Sequence, residues 1–124
     1  MNVLAVHHVQ LPFLASHGEA IREFYGRLLG LPCISHPTSD RPSFMAGSQR
    51  LDLVPVERPE PPARLAHVAL EVLNLPELRR RLLAAGLPLD ETRPLPGFRR
   101  LCVNDPAGNR LEFLEPEPDG VWTP

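Results

Sequence analysis

The sequence predicts an α+β fold of two paired βαβββ modules, their strands forming a cupped mixed sheet around a cavity. Three observations predict it. One short pattern is written twice: His8-Val9-Gln10-Leu11 recurs as His67-Val68-Ala69-Leu70, and Arg50-Leu51-Asp52-Leu53 as Arg110-Leu111-Glu112-Phe113, the copies lying about 60 positions apart. Self-similarity at a fixed offset marks a repeated structural unit. Within each copy a two-residue apolar alternation gives way to helical spacing and then to further extended stretches. Between the copies stands Pro55-Val56-Glu57-Arg58-Pro59-Glu60-Pro61-Pro62, which cannot propagate a helix or a central ladder because proline lacks the amide donor and restricts its predecessor. At 124 residues the chain suits a single domain over 1–115, made of modules 1–56 and 64–115 and followed by a flexible tail, 116–124.

The elements follow in the same order in both copies. Residues 4–11 alternate as a strand with His7, Val9 and Leu11 on one face and His8 and Gln10 on the other. Ser16-x-x-Glu19 has the form of a capping box, and Ile21, Phe24 and Leu28 then recur at helical spacing up to Gly30, giving a helix of about 12 residues. In the second copy Val68, Leu70 and Val72 form the apolar face, opposite His67, Ala69 and Glu71. Asn74-x-x-Glu77 with Pro76 in the first turn opens the second helix, Leu78, Leu82 and Ala85 continue it, and Gly86 stops it. Three short extended stretches close each copy. In the last of these Leu51 and Leu53, or Leu111 and Phe113, point to the core, which sends Asp52 and Glu112 to the face without the helix. His8 and His67 share that face.

Composition removes several function classes. The formal net charge of −2 supplies no basic surface for nucleic acid, and no apolar run approaches the roughly 20 residues that span a bilayer. All thirteen basic residues are arginine, so Schiff-base and P-loop lysine chemistry are excluded. Cys33 and Cys102 lack metal-type spacing, and the N-terminus reads as strand rather than signal peptide, so a reduced cytoplasmic setting is expected. The partners left are a small molecule or another protein chain.

Imidazole and carboxylate are metal ligands, so a duplicated fold that gathers His8, His67, Asp52 and Glu112 makes a candidate divalent-metal site. The alternative for both acids is an ion pair with Arg50, Arg110 or another arginine, which holds a carboxylate without metal. Gln10, beside His8, is a candidate substrate or outer-sphere contact. Of Arg99 and Arg100, alternation sends one inward, where a guanidinium would clamp an anionic group of a substrate. His7 is expected to be structural.

These residues resemble the vicinal-oxygen-chelate superfamily, which includes glyoxalase I, extradiol dioxygenases, fosfomycin-resistance thiol transferases and bleomycin-resistance proteins. The resemblance rests on His8-Val9-Gln10-Leu11, Phe24-Tyr25-x-x-Leu28-Leu29-Gly30-Leu31, His67-Val68 and Asn104-Asp105-Pro106-Ala107-Gly108-Asn109-Arg110-Leu111-Glu112-Phe113. It implies a divalent ion, whether Zn, Ni, Co, Mn or Fe, with His8 and His67 as first-strand ligands and Asp52 and Glu112 as last-strand ligands. It also implies a homodimer, and Glu112 or Asp52 as the general base of a lyase or isomerase, or a dioxygenase-type reaction on an oxygen-chelating substrate. Asp52 departs from the glutamate of glyoxalase I by one methylene. The alternative within the family is a non-catalytic dimer that binds a small molecule or an antibiotic, as bleomycin-resistance proteins do.

Overall fold

Strand β1 (His8–Leu14) buries Phe13 on the side where Val9 and Leu11 lie, and it runs parallel to β3 (Gln49–Val56). A parallel pair needs a crossover, and here it contains helix α1 (Gly18–Arg22), its π-helical continuation Glu23–Leu28 and strand β2 (Ser43–Ala46). Strand β2 pairs antiparallel with β3, giving the order β1-β3-β2. The computed structural model describes residues 2–59, 61 and 65–118. It divides into two units, Met1–Pro61 and Pro62–Pro124.

The second unit repeats the plan. Strand β4 (Val68–Glu71) is parallel to β6 (Arg110–Pro116), β5 (Phe98–Asn104) is antiparallel to it, and helix α2 (Leu75–Ala84) lies in the crossover. The repeat extends to register: Gln10 stands opposite Asp52 and Ala69 opposite Glu112, with His8 and His67 each two residues earlier. The chain is therefore α+β, with one three-stranded mixed sheet in each unit. Among the described residues no helix is long and apolar enough to cross a membrane.

Each sheet buries one face. In the first unit Leu51, Leu53, Phe13 and Phe44 meet Ile21, Phe24 and Tyr25 of the helix, Tyr25 stacking on Phe44 at 5.6 Å between centroids. In the second, Leu101, Val103, Leu111 and Phe113 form the buried strand face, and Leu75 and Leu82 are the buried residues of α2. Helix α2 ends as a Schellman motif, in which Leu87 N donates to Leu82 O, Gly86 N donates to Leu83 O, and Gly86 takes φ 79°.

Several expectations are revised. Strand β1 begins at His8 rather than residue 4, and His7 is exposed rather than on the core face. Ser16 makes no cap: the chain enters α1 through a 3₁₀ turn, Ala15–His17, so the serine lies inside the turn instead of at its mouth. The first of the three extended stretches after each helix shrinks to an isolated bridge, Cys33 to Phe44 in one unit and Asp90 to Cys102 in the other. Those stretches carry Pro32, Pro37 and Pro42, or Pro88, Pro94 and Pro96, and a proline cannot donate to a ladder. Strand β6 reaches Pro116, and the amide of Glu117 donates to Gly97 O. Most of the expected tail (119–124) and part of the connector (60 and 62–64) lie outside the described residues.

Candidate functional site

In the second unit the structure brings His67, Glu112 and Arg100 together. Glu112 is buried, on the face of β6 opposite Leu111 and Phe113, with Cys102 directly across the ladder. His67 immediately precedes β4 and places Nε2 at 2.7 Å from Glu112 Oε2. Its Nδ1 lies 2.9 Å from Leu65 O, and a carbonyl only accepts, so Nδ1 carries the proton and donates. In the neutral ring Nε2 then presents a lone pair to the carboxylate. At 2.7 Å the two atoms share a proton in a hydrogen bond; a divalent ion at about 2.0–2.2 Å from each would take that proton's place and hold the two atoms somewhat further apart. The donor chemistry of this pair therefore fits a divalent ion, with Leu65 O fixing the tautomer as the outer-sphere partner of a ligating histidine does.

Arg100 approaches the other carboxylate oxygen. Its Nε lies 2.5 Å from Glu112 Oε1 and its Nη1 donates to Arg93 O at 2.7 Å. The Nε–H is not aligned on the carboxylate, and Nε is buried without a hydrogen-bond partner. The contact is thus an ion pair rather than a formed hydrogen bond. Arg99 alternates to the opposite face, where Nη1 lies 3.4 Å from Glu115 Oε1. Glu115 in turn accepts from the amides of Asn74 and Leu75 at the start of α2.

The first unit presents the equivalent residues differently. Asp52 accepts from Arg50 Nε at 2.7 Å and Nη2 at 2.9 Å, and from Ser43 Oγ at 2.9 Å. Burial pushes its carboxyl up, but the Arg50 and Ser43 hydrogen bonds, with the charges of Arg50 and His8, outweigh this and hold it below its ordinary value. His8 is exposed, its Nδ1 2.9 Å from Nδ1 of His7, so one ring donates and the other accepts. Gln10 is exposed opposite Asp52 in the ladder.

Sequence reasoning missed Asp90. Arg110 occupies the repeat position of Arg50, yet its Nη2 donates to Asp90 Oδ2 at 2.8 Å instead of to the acid two residues along its own strand. Asp90 Oδ1 accepts from the amide and hydroxyl of Thr92, at 3.0 and 2.6 Å. These Thr92 hydrogen bonds, with Arg110, hold the Asp90 carboxyl far below the usual range. The Asp90-x-Thr92 spacing is a turn signal, but nothing in it names Arg110 as a partner.

Among the described residues no three His, Cys, Asp or Glu side chains assemble as a metal-binding group. The first unit also contains an open cavity of about 390 Å³, lined by Phe13, Arg22, Arg41, Pro42 and Val56 among others and by none of His8, Gln10 or Asp52.

Comparison with known proteins agrees with this architecture. A protein from Bacillus anthracis provisionally placed in the glyoxalase family superposes with a TM-score of 0.80 at 30% identity, covering 94% of this chain and 98% of that one. TnmS3, an antibiotic binding protein from Streptomyces sp. CB03234, superposes at 0.75 with 20% identity, covering 94% and 99%. Lactoylglutathione lyase from Agrobacterium tumefaciens superposes at 0.67 with 21% identity, covering 90% and 92%. The last two likenesses are of fold alone. No curated protein matches the chain. Residues 5–113 match the Glyoxalase/Bleomycin resistance protein/Dioxygenase superfamily, and the chain belongs to it.

Proposed function

We propose that this protein is a divalent-metal-dependent enzyme of the glyoxalase type, a lyase or isomerase ahead of a dioxygenase, acting as a homodimer on a small oxygen-chelating substrate. The observation that carries the reading is the 2.7 Å approach of His67 Nε2 to Glu112 Oε2, with His67 Nδ1 committed to Leu65 O. His67 and Glu112 are proposed as ligands, and His8, the repeat equivalent of His67, as the further imidazole. Asp52, already held by three hydrogen bonds, is proposed as a structural acid rather than a fourth ligand. A bound divalent ion would supply Lewis-acid stabilisation of charge on two neighbouring substrate oxygens. Glu112 would accept a carbon-bound proton at a carboxylate oxygen, and Arg100 would hold an anionic group of the substrate beside it. Gln10 is retained as a substrate contact; Arg99, tied to Glu115, is not.

Elemental analysis of the purified, zinc-loaded protein tests this reading. One ion per chain is expected in the native protein, with losses in His67→Ala, Glu112→Ala and His8→Ala. Sub-stoichiometric metal unchanged by all three substitutions would refute it. Gel filtration tests the dimer. A second reading, a non-catalytic small-molecule or antibiotic-binding dimer, is favoured by the ion pairs that already balance Asp52 and Glu112. It predicts a native protein that takes up no metal yet binds its ligand.

A further inference from the structure

The two units offer an internal comparison. Arg50 and Arg110 hold the same repeat position, each two residues before the acid of its strand and on that acid's face. In the first unit the guanidinium closes on the acid, Nε and Nη2 taking both oxygens of Asp52. In the second it does not, although Arg110 lies beside Cys102, the residue directly across the ladder from Glu112. Two things differ: Glu112 already meets His67 and Arg100, and Asp90 Oδ2 receives Arg110 Nη2 at 2.8 Å. Asp90 is well placed to keep that grip. Its backbone bridges Cys102 in both directions, Asp90 N donating to Cys102 O and Cys102 N to Asp90 O at 2.9 Å each, and Thr92 fixes its other oxygen.

We propose that Asp90 is a positioning residue for Glu112: by holding the Arg110 guanidinium it keeps a second arginine off the carboxylate and leaves Oε2 to His67. Without Asp90, Arg110 turns along its strand and forks Glu112 as Arg50 forks Asp52. The carboxylate is then satisfied by two arginines, and His67 loses its partner. The consequence for metal rests on the function proposed above; the consequence for side-chain geometry does not.

The test uses the full chain with Asp90→Asn, which keeps an oxygen for Thr92 and removes the charge that holds Arg110. Zinc(II) affinity by calorimetry is expected to fall about 10- to 100-fold, the range typical of outer-sphere changes. Adding Arg110→Ala is expected to restore it to within about threefold of wild type. A purely structural role for Asp90 predicts no such rescue, because removing Arg110 repairs neither the Thr92 turn nor the bridge to Cys102. A loss that the second substitution leaves in place, or no loss at all in a wild type that does bind zinc, overturns the proposal. Should the wild-type protein bind no zinc, the crystal structure of Asp90→Asn decides. Arg110 within hydrogen-bond distance of Glu112 supports the positioning role and leaves only the metal reading at fault. Arg110 still directed at residue 90, with the His67–Glu112 contact intact, overturns it.

Discussion

Arg50 closes on Asp52 with two donors, Nε to Oδ1 at 2.7 Å and Nη2 to Oδ2 at 2.9 Å. Such a bidentate, charge-assisted pair fixes the carboxylate in one orientation, and the hydroxyl of Ser43 adds a third bond at Oδ1. Recruiting Asp52 to a metal would require breaking this fork and leaving a half-exposed arginine unpaired. Asp52→Asn is therefore expected to change zinc affinity by no more than about threefold, whereas Glu112→Gln is expected to lose more than about 100-fold, beyond the usual outer-sphere range. Calorimetric titration of the two variants side by side checks this, and comparable losses would make Asp52 a ligand.

Among the described residues the carboxyls of Asp52 and Asp90 stand below their ordinary value, and both contribute to the response to acid. For Asp52, burial acts upward but is outweighed by Arg50 and Ser43; for Asp90, the Thr92 hydrogen bonds act first and Arg110 next. A depressed folded pKa means that the unfolded chain binds more protons in the interval between the two values. The stabilisation is thus complete above the unfolded value, near 3.8, and is lost as pH falls through the folded values. Urea midpoints measured from about pH 6 down to about pH 2 are expected to hold steady and then decline below about pH 4. The Asp52→Asn variant is expected to start lower and decline less steeply.

The faces of the last strands were legible because Leu51 and Leu53, and Leu111 and Phe113, bracket an acid in a two-residue period, and only one assignment buries four large apolar side chains. The second helix was legible from its ends, Asn74 accepting from Glu77 N and Gly86 closing the last turn. Other features depend on tertiary contacts that no period encodes. Arg50 and Arg110 are indistinguishable in the repeat, yet one pairs along its strand and the other with Asp90, twenty residues distant in sequence. Likewise the π-helical stretch Glu23–Leu28 buries the consecutive residues Phe24 and Tyr25, where spacing alone pointed to Ile21, Phe24 and Leu28.

Glu115 serves as a remote cap for α2. Its carboxylate accepts from the amides of Asn74 and Leu75, two donors that a helix start leaves without intrahelical partners, and Asn74 adds its own side-chain bond to Glu77 N. A negative charge there also complements the helix dipole. Glu115→Ala is expected to lower unfolding free energy by about 1–2 kcal/mol, the cost of losing a cap. Arg99→Ala, which removes only a half-exposed cation 3.4 Å from Glu115, is expected to cost less than about 1 kcal/mol. Neither substitution should alter zinc binding. Urea denaturation checks the first two statements and calorimetry the third; a zinc affinity that falls with Arg99→Ala would return that arginine to the site.

Arg100 places a cation against the carboxylate proposed to bind metal, so its two effects oppose each other. The apo protein gains an ion pair, with Nε 2.5 Å from Glu112 Oε1, while an incoming divalent ion meets a positive charge beside its ligand. The pair is also imperfect, since the buried Nε has no aligned acceptor. Arg100→Met is expected to destabilise the apo protein by about 1–3 kcal/mol, because Glu112 keeps only His67 as a counter-group in a buried position. The same substitution is expected to raise zinc affinity by about tenfold, equivalent to about 1.4 kcal/mol, by removing the competing charge. Ligand linkage then predicts a larger zinc-induced rise in Tm for the variant than for the wild type at equal zinc, from a lower starting point. Arg100→Lys, which retains the charge and loses the planar fork, should fall between the two. A variant that loses stability without gaining zinc affinity would show that Arg100 supports the fold and leaves the metal affinity of Glu112 unaffected.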